Sequence, residues 1–70
     1  MSQRKVYWVQ WLDERWRVRY RELTLSAHPA KQDAVDAALR VARVNRPSAV
    51  RICREDGSVE DERTYGDEAV

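Results

Sequence analysis

Residues 5–21 read KVYWVQWLDERWRVRYR, and this stretch decides how the rest of the chain folds. Its first part, KVYWVQWL, is rich in β-branched and aromatic residues, and its last part, RWRVRYR, has an arginine at every second position. A period of two gives a β-strand two different faces, whereas a helix could not use it to build one apolar side. We therefore predict two strands joined at Asp13 and Glu14.

The length of the link between these strands determines which side chains share a face. A loop of two or four residues would gather the large apolar groups of both strands on one side. The cross-strand pairs would then be Trp11 with Trp16, Val9 with Val18 and Tyr7 with Tyr20. A three-residue loop would shift the parity and bring Val6, Trp8 and Leu12 to that side instead. We prefer the even loop.

The chain beyond Arg21 indicates a third strand and a single helix. Residues 22–28, ELTLSAH, alternate apolar with small polar side chains. Pro29 interrupts this pattern and suits a first helical turn, and residues 31–45 then change to the period of a helix. The apolar stripe of this helix consists of Val35, Ala38, Leu39 and Ala42, widened by Ala34 and Val41.

A closing hairpin completes the predicted fold. Residues 49–53 alternate as a strand would, and Asp56-Gly57 is a turn signal that leads into a fifth strand. The layout is βββαββ, an α+β fold with a mostly antiparallel sheet and one helix packed on one face. We predict a single domain over residues 1–66 and a mobile acidic end at residues 67–70.

The helix is expected to cover one face of the sheet and leave the other bare, and we call the bare side the open face. Besides the apolar groups of the first hairpin, the covered side is predicted to include Leu23, Leu25, Val50 and Ile52. On the open face, Trp8 would lie across from Arg19. The first-hairpin residues predicted on that face are Val6, Trp8, Gln10, Leu12, Arg15, Arg17, Arg19 and Arg21.

Charge is divided unevenly along the chain, although it sums to only +1. Residues 1–54 hold twelve of the thirteen lysines and arginines and five of the twelve acids, so they carry +7 while residues 55–70 carry −6. The near-zero total excludes a strongly basic or acidic protein. A lone cysteine, Cys53, excludes an internal disulfide, and with a lone histidine, His28, it cannot complete a structural zinc site.

We expect a cytoplasmic protein without a cofactor. A single cysteine is typical of a reducing compartment. The first residues, MSQRK, lead into a strand-like run and not into the apolar core of a signal peptide. The chain also lacks a run of about eighteen apolar residues, so we predict neither export nor a membrane span.

Four motifs follow one another in a recognisable order. They are Trp16-Arg17-Val18, the helix opening AKQDAVDAA at residues 30–38, the segment from Val50 to Asp56-Gly57-Ser58-Val59, and Thr64-Tyr65-Gly66. Their order and spacing resemble those of a bacterial family of short proteins catalogued as domain of unknown function number 2188. The chain departs from the family pattern in the first turn, where a glycine is usual, and at Ala30, where a capping threonine is usual. The resemblance implies a compact α+β fold and no activity.

The alternating arginines have two interpretations. Arginine and aromatic side chains interleaved on an open sheet are typical of surfaces that stack unpaired bases and bind phosphates. Alternate residues of a half-buried strand must be polar in any case, and arginine stems also cover apolar surface. We favour the second interpretation for the arginines themselves. Exposure of Trp8, Leu12 and Val6 together would nevertheless mark an association site.

We predict a non-catalytic binding module that uses the open face for self-association or for contact with another protein. Trp8 would be the buried anchor, and Arg17 and Arg19 would orient the partner through charge pairs, with Leu12 and Arg21 behind them. The expected partner is a second copy or another protein, with no small-molecule substrate and no metal.

Two alternative functions remain open. A nucleic-acid-binding protein would stack bases on Trp8 and hold phosphates with Arg15, Arg17, Arg19, Arg21 and Arg51. Such binding would be weak and salt-sensitive if Glu60 and Glu62 lie beside the arginines. An inhibitor of a nucleic-acid-binding partner would instead use the acidic residues Glu60, Asp61, Glu62, Asp67 and Glu68.

Catalysis is not expected from this sequence. His28 and Cys53 lack an evident acid–base partner, and Cys53 is interpreted as a small strand residue although flanking arginines could activate its thiol. A single-sheet domain of this size is also expected to have little room for a pocket of about 300 Å³ or more.

Overall fold

A computed structural model describes residues 4–66 of the chain as five strands and one helix. In chain order these are β1 (Lys5–Leu12), β2 (Arg15–Tyr20), β3 (Leu23–His28), α1 (Lys31–Val44), β4 (Ser48–Cys53) and β5 (Val59–Tyr65). The α+β class and the βββαββ order are confirmed. The end predicted to be mobile, at residues 67–70, lies outside the described residues.

The strands form one sheet in the order β3-β2-β1-β4-β5. The pairs β1–β2, β2–β3 and β4–β5 are antiparallel, but the central pair β1–β4 is parallel. The sheet is therefore mixed, and the prediction of a mostly antiparallel sheet missed the parallel pair at its centre. The reason is the crossover: β3 runs in the direction of β1, and α1 returns the chain so that β4 starts at the same end.

The first hairpin has the predicted register. Trp11 pairs with Trp16, and the pairs formed by the valines and tyrosines of β1 and β2 follow from it. The turn consists of Asp13 and Glu14, which both have positive φ angles of 52° and 61°. Two such residues are the requirement of a type I′ turn, whose twist matches that of paired strands. The even-loop parity, with Trp8 on the side away from α1, is thus confirmed.

The third strand differs from the prediction in the side chains that it buries. A bulge in the β2–β3 pairing sets Ser26 opposite Val18 but Thr24 opposite Arg19, which leaves Leu25 as the extra residue. The bulge therefore removes Leu25 from the alternation, while Leu23 lies opposite Tyr20 at the end of the edge strand. Leu23 and Leu25 are 63% and 44% exposed, so the prediction that they pack under the helix is wrong.

The helix α1 covers one face of the sheet with small side chains. Ala34, Ala38 and Ala42 are fully buried, and their size allows the helix to lie close to the strands. At its end, the buried Ser48 hydroxyl donates to the Ala42 carbonyl at 2.6 Å, which also accepts the Asn45 backbone N–H at 3.2 Å, and so ties the last turn of the helix to the start of β4. The sheet residues of this core are Tyr7, Val9, Trp16, Val18, Val50 and Ile52.

Membrane crossing by a helix would need a longer and more apolar segment than α1. Across residues 4–66, no helix has both the length and the apolar character for it.

Candidate functional site

The open face carries a row of four side chains from four adjacent strands. Trp8 on β1 lies between Arg19 on β2 and Arg51 on β4. Beyond Arg51 follows Glu62 on the edge strand β5. We call these four residues the Trp8 row. From β2 to β5, the side chains of the row are positive, aromatic, positive and negative.

Contacts within the row hold its side chains against the sheet. The Arg51 Cζ lies 5.1 Å from the centroid of the Trp8 ring, within the range of a cation–π contact. The Arg51 Nε donates to Glu62 Oε2 at 2.9 Å, and the two side chains remain 41% and 43% exposed. A pair that exposed contributes about 0–1 kcal/mol. Trp8 itself is half-buried, so its ring is neither enclosed nor bare.

Arg17 and Arg19 also lie along the open face. The Arg17 Nε donates to the Leu12 carbonyl at 3.0 Å, which bends the side chain back over the hairpin. Arg19 makes a long contact of 3.5 Å from a terminal nitrogen to the Glu22 carbonyl. Within residues 4–66 its buried Nε has no hydrogen-bond partner. The Arg19 guanidinium is therefore held less firmly by the rest of the chain than that of Arg17 or Arg51, each of which donates from Nε at 3.0 Å or less.

The ends of β2 place the other two predicted arginines differently. Arg15 is exposed and lies opposite Leu12 on the open face, as predicted. Arg21 is outside the strand, in the turn before β3, with a φ of 56°. Its Cζ lies 5.3 Å from the ring of Tyr20, a side chain of the covered side. The expectation that Arg21 extends the arginine row is wrong, because the strand alternation stops where the turn begins.

The acidic residues of β5 divide between the two sides of the sheet. Glu62 lies beside Arg51 on the open face, one of the two placements that the sequence left open. Glu60 instead forms an ion pair with Lys31 at the start of α1, and this contact lowers the pKa of the Glu60 carboxyl. A bulge in the β4–β5 pairing produces the division. Of Glu60 and Glu62, only Glu62 therefore offsets the charge of the open face, and Asp67 and Glu68 lie outside the described residues.

A cleft of about 660 Å³ lies between α1 and β5, although the sequence suggested little room for a pocket. It exists because α1 packs over β1 to β4 and leaves the inner side of β5 uncovered. Its lining is apolar at Val35, Leu39 and Ile52 and otherwise polar, at Lys31, Gln32, Glu60, Asp61 and Arg63. The signal for it in the sequence is the lack of apolar alternation in β5, which provides nothing to pack beneath a helix.

The charged groups around this cleft are paired with one another. Besides the Lys31–Glu60 pair, the Arg63 Nε donates to Asp61 Oδ2 at 3.0 Å. That hydrogen bond lowers the pKa of the Asp61 carboxyl. Such mutual pairing leaves the cleft without a charge of one sign to attract a ligand.

Cys53 does not behave as an activated nucleophile. It is fully buried, and burial raises the pKa of its thiol more than the charge of Lys31 lowers it. A raised pKa disfavours the reactive thiolate. The flanking arginines therefore do not activate it. His28 lies three strands away on β3, and its Nε2 is 3.0 Å from Ser26 Oγ.

By its fold the chain is a small α+β protein, in which one helix covers a mixed five-stranded sheet and the opposite face carries arginine and tryptophan. Residues 7–65 match the family described as an uncharacterized protein conserved in bacteria (DUF2188). The chain belongs to this bacterial family, which confirms the resemblance seen in its motifs. The match includes the entire Trp8 row. Comparison with curated proteins and with solved structures gives no match.

Proposed function

We propose that this protein is a non-catalytic, cytoplasmic binding module that contacts other protein chains through the open face of its sheet. The Trp8 row carries the proposal, because it places a half-buried tryptophan among guanidinium groups on a face that no other element of residues 4–66 covers. Tryptophan and arginine are the residue types most enriched where protein interfaces concentrate their binding energy.

Each residue of the surface has a distinct role in this proposal. Trp8 is the anchor, since burying the rest of its ring removes apolar surface from water. Arg19 offers a guanidinium that makes only a long contact to the Glu22 carbonyl, and Arg17 extends the positive side of the surface. Leu12 adds apolar area at the end of β1. Arg21 has no role here, because it lies in a turn and contacts a ring of the covered side.

The absence of a catalytic role is supported by the chemistry of the candidate nucleophile. Cys53 is buried with a raised pKa, and His28 is separated from it by β2 and β1. A cytoplasmic location is supported by the use of a single cysteine, which suits a reducing compartment.

Nucleic-acid binding is the second candidate, and one observation favours it. Arg15, Arg17, Arg19 and Arg51 share the open face with Trp8, and phosphate contacts with base stacking use these residue types. Two observations place it second: Glu62 neutralises Arg51, and Arg17 is bound to a backbone carbonyl.

A photocrosslinking experiment in bacterial cells tests the proposal. A photoreactive residue replaces Thr64, which is exposed beside the Trp8 row, or Arg40, which is exposed on the far side of α1. We expect protein adducts predominantly from position 64, and expect Trp8→Ala to reduce them several-fold. Adducts that disappear with nuclease would support the second candidate instead. Equal yields from both positions, or none, would contradict an interaction surface on the open face.

A further inference from the structure

We infer that the partner of the open face is a second copy of this chain, packed face to face about a twofold axis that runs parallel to the strands, between β1 and β4. This inference rests on the proposed function and names the partner of the same surface. It is carried by the order of charges in the Trp8 row and by the weak contact that the Arg19 guanidinium makes within its own chain.

The position of the axis follows from the spacing of the strands. Neighbouring strands are about 4.8 Å apart, so the row extends over about 14 Å from β2 to β5. Its midpoint lies between β1 and β4. A twofold axis along the strands at that midpoint exchanges β2 with β5 and β1 with β4. It also keeps each residue at its own height along the strands, so the row of one copy lies over the row of the other.

This operation makes the row complementary to itself. Arg19 of one copy faces Glu62 of the other, and Trp8 faces Arg51, with each pair occurring twice because the contact is isologous. The half-buried Arg19 side chain, whose terminal nitrogen makes only a long contact of 3.5 Å to the Glu22 carbonyl, then has a carboxylate opposite it. Glu62 uses Oε2 for its own Arg51, and a carboxylate can accept a second donor through its other oxygen.

The other simple arrangement is unfavourable. An axis in the same plane but perpendicular to the strands would set Arg19 over Arg19, Arg51 over Arg51 and Glu62 over Glu62. Like charges that face each other across an interface are destabilising. Charge therefore selects the axis along the strands, and aligned packing of this kind is a common geometry for two sheets.

The size of the face indicates a weak dimer. Five strands at the usual spacing, each about six residues long, present a surface of about 20 by 20 Å per copy. Two such surfaces bury less than the roughly 1,200–2,000 Å² of a stable, specific interface. We therefore expect a concentration-dependent equilibrium with a dissociation constant in the micromolar range or weaker.

Charge reversal with complementation tests the inference by sedimentation equilibrium at low salt. Arg19→Glu and Glu62→Arg are each expected to weaken self-association at least about tenfold, since each sets like charges against each other at both ends of the row. A mixture of the two variants is expected to form a heterodimer at least as tight as the wild-type dimer. In that heterodimer, unlike charges again face each other at both ends of the row.

Matched control variants carry the same charge changes away from the open face. Arg40→Glu on α1 and Glu55→Arg in the β4–β5 turn are expected to dimerise as the wild type does, alone or mixed. Circular dichroism verifies that each variant is folded.

Three results would overturn the inference. A wild-type chain that stays monomeric at millimolar concentration excludes a second copy as the partner, while crosslinks from position 64 to other proteins would leave the proposed function standing. If Arg19→Glu and Glu62→Arg form no heterodimer when mixed, the twofold axis does not run along the strands. A Trp8→Ala dimer as tight as the wild type would place self-association on another surface.

Discussion

The covered face and the open face of the sheet are built from alternate residues of the same strands, yet they are shielded from water in different ways. On the covered face, Val9, Val18 and Val50 are fully buried beneath α1. On the open face, half-buried side chains such as Trp8 and Arg51 cover one another, and no further element of residues 4–66 lies above them. The difference indicates that stability resides mainly under the helix, while the other face remains available for a partner.

The largest expected effect compares one tryptophan from each face. Trp16→Ala on the covered side, where the ring is 7% exposed, should lower the free energy of unfolding by about 3–5 kcal/mol. Trp8→Ala should cost only about 1–2 kcal/mol in the monomer, because its ring is half-buried. Urea denaturation followed by circular dichroism at low protein concentration measures both. Equal losses would show that Trp8 belongs to the core and would remove the distinction between the faces.

A smaller effect is expected from adding side-chain volume to each side of the molecule. Ala38→Leu inserts three carbons where the helix contacts the sheet, and such overpacking should cost about 1–3 kcal/mol. Thr64→Leu adds comparable bulk to an exposed position of the open face and should change stability by about 0.5 kcal/mol or less. Thermal unfolding of the two variants provides the test. An Ala38→Leu variant as stable as the wild type would contradict a close contact between α1 and the strands.

The smallest effect concerns the ion pair that joins β5 to the helix. Lys31 lowers the pKa of Glu60 in the folded protein. A carboxyl whose pKa is lower in the folded than in the unfolded state stabilises the fold above its unfolded pKa, and this contribution disappears as the pH falls through the folded value. Glu60→Gln should therefore be less stable than the wild type at pH 7. The difference between their free energies of unfolding should disappear below about pH 4.

A second substitution makes this pH experiment specific. In a Lys31→Met background, Glu60→Gln should have much less effect at any pH, because the partner that lowers the pKa is gone. Urea denaturation across the acid range measures the free energy of unfolding with and without Glu60→Gln, both in the wild-type and in the Lys31→Met background. A Glu60→Gln effect of the same size with and without Lys31 would show that the ion pair does not join β5 to α1.

Much of the architecture could be predicted because it follows from local patterns. The parity of the first hairpin follows from the even spacing of apolar residues around Asp13 and Glu14, since an odd register would separate the large groups of the two strands and place Tyr7, Val9 and Trp11 on the open face. The helix follows from its change of period after Pro29. Both features depend on residues that are close together in the chain.

The incorrect predictions concern places where the alternation is interrupted. The bulge that exposes Leu25 inserts a residue that no side-chain pattern marks, and Arg21 continues the spacing of the arginines after the strand has ended. The cleft beside β5 was missed for a related reason. Its volume depends on how far α1 extends across the sheet, which is a property of packing and not of any one segment.

Which residues of the first hairpin point away from the helix follows from the amino-acid pattern alone, because the side chains of a strand alternate and burial requires the large apolar groups to be together. Which strand lies beside β1, opposite β2, is instead a result of the packing of the whole domain. Parallel pairing with β4 places Arg51 beside Trp8 and Glu62 beyond it. Residues so far apart along the chain share no periodicity, so their juxtaposition depends on how the crossover packs and not on a local pattern.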